Sequence, residues 1–75
     1  MKFTRADMRR MRTPGEYNDG QGLILHVITK DRRNWFLRYM RSGKERMMGL
    51  GRADVVSLDD AREKAQAARK LLAAY

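Results

Sequence analysis

The sequence predicts a small α+β domain: a three-stranded antiparallel meander packed against one long C-terminal helix, with a short N-terminal helix or turn before the sheet. Three observations support this fold class: an apolar run of strand length, a hairpin whose two faces differ in polarity, and a final segment with helical periodicity. The chain has 75 residues, which is enough for one domain, and we expect residues 1–75 to form it.

Strand-length segments occur at residues 23–29, 34–41 and 44–50. Ser42-Gly43 is typical of a two-residue hairpin turn, and such a turn fixes the register of the strands on either side. The predicted pairs are Arg41 with Lys44, Tyr39 with Arg46, Leu37 with Met48, and Trp35 with Leu50. Alternation assigns Trp35, Leu37, Tyr39, Met48 and Leu50 to the core face, and Phe36, Arg38, Met40, Glu45 and Met47 to the opposite face.

The last third of the chain has the pattern of an amphipathic helix. Ser57 followed by Asp60 is a helix-capping pattern. Apolar residues then recur at helical spacing, at Leu58, Ala61, Ala65, Ala68, Leu72 and Tyr75. A shorter helix or turn is predicted over residues 5–11, and the glycine-containing segment 19–22 is predicted as a turn.

The net charge indicates a polyanionic partner. The chain carries 17 Lys+Arg against 9 Asp+Glu, a formal net charge of +8. The excess lies in residues 1–18 and 30–52, whereas the C-terminal third is balanced. A basic central segment followed by a charge-balanced helix is typical of a sheet that binds a polyanion and is supported by a scaffold helix. The same distribution is also typical of a surface whose basic side chains only increase solubility.

Composition excludes several function classes. The chain has no Cys and one His, so it has neither a disulfide framework nor a Cys/His metal site. No catalytic constellation is present, and a chain this short buries too little surface for a deep enzyme pocket. We therefore expect no cofactor, no small-molecule substrate and no enzymatic activity in this segment. No apolar run approaches the roughly 20 residues of a membrane span, and no signal peptide is apparent, so we expect a cytoplasmic protein without membrane contacts.

The remaining constellation is a basic sheet interleaved with aromatic and apolar side chains. Arginine grips phosphate or a guanine edge through two parallel hydrogen bonds, and the DNA major groove admits a small sheet. Arg38 lies mid-strand on the face away from the helix, so we predict that it reads a base, helped by His26 or Phe36. The bases near the strand ends are predicted phosphate anchors: Arg32, Arg33, Arg41, Lys44 and Arg46.

Alternatives stay open for the outward apolar residues. In one, Phe36, Met40 and Met47 pack under the N-terminal segment, and the strand ends and loops hold the DNA instead. In another, the same face, with Ile24, docks on a protein partner while the bases support solubility. Single-stranded RNA is a further rival, although the alternating aromatics of an RNA-recognition sheet are missing.

A set of short motifs occurs in a familiar order over almost the whole chain: Asp19-Gly20-Gln21-Gly22-Leu23-Ile24-Leu25, Trp35, Arg38-Tyr39, Gly43-Lys44, Leu50-Gly51, Ser57-Leu58 and Ala61-Arg62. The ordered set resembles the N-terminal arm-type DNA-binding domain of prophage integrases, which are lambda-like tyrosine recombinases. The chain departs from that pattern after Leu-Gly, where the family usually has Tyr-Pro and this chain has residues 52–56.

The resemblance implies sequence-preferring binding of double-stranded DNA at arm-type sites, with a three-stranded sheet in the major groove, during phage and prophage integration and excision. It implies DNA and the other domains and subunits of the integrase as partners, and association with the nucleoid when bound. Full-length members add a core-binding domain and a catalytic domain with a nucleophilic tyrosine. Tyr75 is not expected to be that nucleophile, and the chain is expected to be an excised, non-catalytic domain.

Overall fold

A computed structural model describes residues 2–73, and in that range four strands lie between two helices. The elements in chain order are helix α1 (Arg5–Arg10), strands β1 (Gly15–Gly20), β2 (Leu23–Thr29), β3 (Arg32–Arg41) and β4 (Lys44–Arg52), and helix α2 (Leu58–Ala73). The strands form one antiparallel sheet in the order β1-β2-β3-β4. The α+β class is confirmed, whereas the prediction of three strands is wrong because β1 adds a fourth.

Strand β1 is the element that sequence patterns missed. Its residues, GEYNDG, have low strand propensity, and antiparallel pairing with the apolar strand β2 holds them extended. The predicted turn over residues 19–22 is wrong in its first half, since Asp19 and Gly20 belong to β1. The chain reverses at Gln21 and Gly22, whose φ angles are 53° and 87°.

The β3–β4 hairpin has most of the predicted register. The pairs found as predicted are Arg41 with Lys44, Tyr39 with Arg46, and Leu37 with Met48. Trp35 faces Gly51 instead of Leu50, because a bulge next to Trp35 gives β4 one extra residue, so that predicted pair is wrong. Leu50 remains in the core. The bulge therefore changes the pairing without exposing an apolar side chain.

The core lies between the sheet and helix α2. Ala61 and Ala65 are fully buried, and their small side chains allow the helix to approach the sheet closely. Trp35 is also fully buried, and its indole Nε1 donates a hydrogen bond to the Val56 carbonyl oxygen at 2.9 Å, which satisfies its one polar group. The predicted stripe on the helix is confirmed for Leu58, Ala61, Ala65, Ala68 and Leu72. Tyr75 lies outside the described residues.

The N-terminal segment packs on the same side of the sheet as α2. Thr4 and Asp7 form a capping box at the start of α1, with reciprocal hydrogen bonds of 3.1 and 2.9 Å. The bond from the Thr4 backbone N–H to the Asp7 carboxylate lowers the pKa of Asp7. Phe3 is buried in the core, and Met8 and Met11 pack against it. The alternative in which this segment covers the outward apolar side chains of the hairpin is therefore wrong.

A polar network joins β1, the N-terminal segment and α2. Asp19 is 5% exposed and accepts hydrogen bonds from the Phe3 backbone N–H at 2.6 Å and from Arg62 Nε at 2.9 Å. Arg62 Nη2 donates to the Phe3 carbonyl oxygen at 2.8 Å. Burial raises the pKa of Asp19, but the hydrogen bonds from Arg62 and Phe3 outweigh burial, so the pKa lies below its ordinary value. The same pairing raises the pKa of Arg62.

Candidate nucleic-acid interface

The outer face is the face of the sheet opposite α2 and the N-terminal segment. Cross-strand pairing puts Ile24 beside Phe36, and Arg38 beside Met47, on this face. Near the β3–β4 turn its apolar side chains are open to solvent, with Met40 67% and Met47 43% exposed. By register, the outer face comprises Glu16, Asn18, Ile24, His26, Asn34, Phe36, Arg38, Met40, Glu45 and Met47.

Arg38 lies in the middle of the outer face, between carboxylates from two other strands. Its Nε is 2.5 Å from Oε1 of Glu45 on β4, and its Nη2 is 3.5 Å from Oε1 of Glu16 on β1. All three side chains are partly exposed, at 40% for Arg38, 54% for Glu45 and 48% for Glu16. The residue predicted to read a base thus lies mid-strand on the outer face as expected, and its two carboxylate partners give the trio a formal net charge of −1.

The ion pair between Arg38 and Glu16 spans a whole strand. Because β2 lies between β1 and β3, the Arg38 side chain must cross β2 to reach Glu16. The backbone N–H of Arg38 bonds to the Gly22 carbonyl, and Glu16 lies opposite His26, so the crossing is centred on Ile24. Ile24 is 2% exposed although it belongs to the outer face, which is consistent with a side chain that crosses at its level.

His26 and Phe36, the two predicted helpers of Arg38, lie together on the outer face. Their ring centroids are 6.0 Å apart and the rings are tilted by 50°, within the range of an aromatic pair. Both side chains are half-buried, so part of each ring is accessible from solvent. The structure therefore brings these two predicted site residues together.

Four of the five predicted phosphate anchors lie near the ends of the sheet. Arg41 and Lys44 are paired on either side of the β3–β4 turn, and both are exposed. Arg46 is exposed two residues further along β4, where the register directs it to the α2 side of the hairpin. Arg32 is exposed at the start of β3, at the opposite end of the sheet. The same register directs Arg41 and Lys44 to the α2 side, so these cations lie along the rim of the sheet and only Arg32 of the four shares the outer face.

Arg33, the fifth predicted anchor, lies on the other side of the sheet. Its half-buried guanidinium donates through Nη1 to the carbonyl oxygens of Met8 and Met11, the latter at 3.5 Å. Burial lowers the pKa of Arg33, and the nearby charge of Arg12 lowers it further. The structure thus separates Arg33 from Arg38 and ties it to the N-terminal segment.

Glu16 and Glu45 belong to the site although sequence reasoning assigned them no role. The predicted register puts Glu45 on the same face as Arg38, but alternation does not reveal which side chains form an ion pair. Glu16 precedes every strand that was predicted from the sequence. The available signal is Glu45 itself, because a carboxylate on a face predicted to contact DNA is expected to pair with a cation.

Within residues 2–73, no group of three or more His, Cys, Asp and Glu side chains is arranged to hold a metal ion. In the same range, no helix is long and apolar enough to cross a membrane.

Comparison with known proteins identifies the family. The family model described as "Arm DNA-binding domain" matches residues 3–74. The integrase of Shigella phage Sf6 and the prophage integrase IntS of Escherichia coli (strain K12) are each 42% identical to the chain over 52 residues. These matches cover 69% of the chain and 14% of each integrase. The chain belongs to the arm DNA-binding domain family, whose members include domains of phage and prophage integrases.

Proposed function

We propose that the domain binds double-stranded DNA with sequence preference, by inserting the outer face of its sheet into the major groove of arm-type sites. The observation that carries this proposal is the outer face itself: neither described helix packs on it, Arg38 lies at its centre, and further cations lie near the ends of the sheet. A helix on that face would prevent the sheet from approaching a groove. The docking then depends on the β-sheet and not on α2.

The dimensions of the sheet support this docking. The major groove is about 12 Å wide and neighbouring strands are about 4.8 Å apart, so two or three strands fit within it. Arg38 then faces a base edge, where a guanidinium forms two hydrogen bonds with guanine O6 and N7. Phe36, Met40 and Met47 on the same face supply apolar contacts for thymine methyl groups.

The cations at the ends of the sheet are proposed to bind phosphates. At about 3.3 Å per residue, Arg32 and Arg41 are roughly 30 Å apart along β3. With the strands running along the groove, the two ends of β3 are far enough apart to contact phosphates at separate points of the groove walls. Lys44 and Arg46 add charge at one of these ends. We propose that Arg33 instead supports the N-terminal segment, because its guanidinium is hydrogen-bonded there.

The role of the parent protein is also proposed. The chain spans 14% of the length of the integrases it matches. We propose that this domain belongs to a site-specific recombinase of the bacterial cytoplasm, and that it acts beside the core-binding and catalytic domains and neighbouring subunits during integration and excision. In that arrangement the domain contributes DNA recognition, and strand cleavage belongs to the catalytic domain.

A second candidate function is protein docking through the outer face, which the exposure of Met40 and Met47 favours. The two functions differ in their dependence on salt. A protein that neutralises Z phosphates loses affinity with a slope of about −0.9Z in log K against log salt concentration. Four phosphate anchors therefore predict a slope near −4, whereas docking through apolar side chains has little salt dependence.

The test is a titration of a fluorescein-labelled duplex of about 20 base pairs, followed by anisotropy between about 50 and 200 mM salt. Amide chemical shifts recorded at the lower salt concentration then locate the contact surface. Steep salt dependence, with shifts concentrated in residues 34–47, supports the proposal. Salt-independent self-association without binding of the duplex supports protein docking, and shifts confined to α2 contradict insertion of the sheet.

A further inference from the structure

We propose that Glu16 and Glu45 determine specificity by positioning Arg38, so that its guanidinium reads a base edge and does not pair with a phosphate. This inference rests on the proposed function, since it concerns the same face of the sheet. The two glutamates are called the carboxylate pair below. Their proposed role is to orient Arg38, and neither needs to contact DNA for that role.

The first support for this inference is the geometry of the two ion pairs of Arg38. Glu45 lies 2.5 Å from Nε of Arg38, and Glu16 lies 3.5 Å from Nη2, so the carboxylate pair holds the guanidinium from two sides. The two glutamates come from β4 and β1, the outermost strands of the sheet. An arginine held from both edges cannot swing towards a phosphate at either edge without breaking one of these contacts.

The hydrogen-bonding capacity of arginine supplies the second step. A guanidinium has five N–H donors, of which the carboxylate pair engages at most two. Both protons of Nη1 and the second proton of Nη2 of Arg38 remain for another partner. A two-bond contact with O6 and N7 of guanine needs only two donors. The ion pairs are therefore compatible with base reading while they reduce the freedom of the side chain.

The support beneath Arg38 supplies the third step. From its strand, the side chain reaches across β2 at the level of Ile24, which is 2% exposed. An aliphatic stem on this path lies over an apolar side chain, which adds a third restraint to the two ion pairs. A restrained arginine loses less conformational entropy when it binds, so its preference for the correct base is expressed more fully.

The fourth support is the negative charge that the two carboxylates add at the centre of the outer face. The two carboxylates repel phosphates from this part of the sheet, where a cation without partners would bind any backbone equally well. A carboxylate can also accept a hydrogen bond from cytosine N4, the partner of the guanine that Arg38 reads. The arrangement therefore favours a G·C pair at the centre of the contact and leaves phosphate binding to the ends of the sheet.

The test compares wild type with Glu45→Gln and Glu16→Gln, each of which removes one charge and keeps the shape of the side chain. Glu63→Gln is the matched control, because Glu63 is exposed on α2, on the opposite side of the sheet. The probes are a pool of duplexes with a randomised centre and the consensus duplex that wild type enriches from that pool. Affinity and salt slope are measured for both probes.

We expect Glu45→Gln to bind the random pool more tightly and to steepen its salt slope by about one unit, because the released Arg38 becomes a phosphate contact. The ratio of the two dissociation constants, random pool over consensus, falls at least fivefold. Glu16→Gln has the same effect to a smaller extent, since its contact is longer. Glu63→Gln leaves the ratio and the slope unchanged.

A double-variant cycle links the effect to Arg38. In an Arg38→Met background, Glu45→Gln should change the ratio by less than twofold, because no guanidinium remains to be positioned. If the carboxylate acts only through repulsion, its removal would instead change the affinity for the random pool by the same factor in both backgrounds. Circular dichroism of each variant confirms that the fold is retained, which is expected because both glutamates are about half exposed.

Two results overturn the inference while DNA binding stands. One is that Glu45→Gln and Glu16→Gln strengthen binding to both probes equally, so that the carboxylate pair only repels DNA. The other is that the ratio rises, so that the ion pairs inhibit Arg38. If wild type instead binds no duplex in a salt-dependent manner and enriches no consensus, the proposed function itself fails.

Discussion

Arg62 and Asp19 are 43 positions apart in the sequence, and Nε of Arg62 lies 2.9 Å from Oδ2 of Asp19. This contact crosses the boundary between helix and sheet, because Asp19 is in β1 and Arg62 is in α2. Both residues also bond to the backbone of Phe3, so the contact closes the N-terminal segment onto the core. The network holds in place the one strand whose own sequence does little to form it.

Asp19→Asn should lower the free energy of unfolding by about 1.5–3 kcal/mol, the range for hydrogen bonds to charged groups. The lower part of that range is expected, since Arg62 remains about one third exposed and solvent screens the pair. Urea unfolding followed by the fluorescence of Trp35 measures the change. Asp31→Asn, in the exposed β2–β3 turn, is the control and should have almost no effect. Equal effects of the two substitutions would contradict the structural role of Asp19.

Stability should decrease in acid because the pKa of Asp19 is lower in the folded chain than in the unfolded chain. A carboxyl with a lowered folded pKa stabilises the fold above the unfolded value of about 3.9, and that contribution is lost as the pH falls through the folded pKa. Asp7 acts in the same direction. Urea midpoints between about pH 6 and 2 measure this loss. The urea midpoint of Asp19→Asn should decrease less over this pH range than that of wild type. An equal decrease in the two proteins would show that other carboxyl groups cause the loss of stability in acid.

Gly22→Ala should destabilise the fold more than Gly43→Ala does. Both glycines have positive φ, at 87° and 74°, where an L-residue costs roughly 1–2 kcal/mol. A Cβ at Gly22 would also collide with the carbonyl oxygen of Arg38, whereas a Cβ at Gly43 meets nothing within 4 Å. The additional cost at Gly22 is expected to be about 1–3 kcal/mol, as for overpacking. Thermal unfolding of the two variants provides the comparison, and equal melting temperatures would mean that the β1–β2 turn moves away from β3 easily.

Arg33→Gln and Lys44→Gln should have different effects, because Arg33 stabilises the fold whereas Lys44 is proposed to contact a phosphate. Loss of the Arg33 hydrogen bonds to the N-terminal segment is expected to reduce stability by about 1–2 kcal/mol and to leave the salt slope of DNA binding unchanged. Lys44→Gln should leave stability within about 0.5 kcal/mol of wild type and reduce the slope by about 0.9. Urea unfolding and salt titrations of the same two samples measure both quantities. A reduced slope in Arg33→Gln would return Arg33 to the set of phosphate anchors.

The elements found from the sequence are those whose pattern is local. Helix α2 was predictable because its alanines recur at helical spacing, and the β3–β4 hairpin because a two-residue turn at Ser42-Gly43 fixes the register of both strands. Strand β1 was not predictable, since GEYNDG contains one large apolar residue and is held by its neighbour β2. The bulge beside Trp35 was also hidden, because one extra residue in β4 leaves the alternation of its apolar side chains almost unchanged.

The sequence predicted which side chains share the outer face of the sheet, but it did not predict which of them contact each other. Alternation from Trp35 assigns Phe36 and Arg38 to the outer face, as the structure has them. The same alternation, continued back from Trp35, would have assigned Arg33 to the core side, but Arg33 was taken as part of a loop. The ion pairs of Arg38 were out of reach, because Glu16 becomes its neighbour only once β1 joins the sheet.

The two exposed methionines of the outer face make this surface sensitive to oxidation. The chain contains no cysteine, so thioether sulfurs are its most readily oxidised atoms. Met40 and Met47 are the most accessible methionines of the described range, whereas Met8, Met11 and Met48 are partly buried against the core. Among the methionines of residues 2–73, peroxide therefore converts Met40 and Met47 to sulfoxides first, which replaces two flexible apolar side chains with polar ones and leaves the core intact.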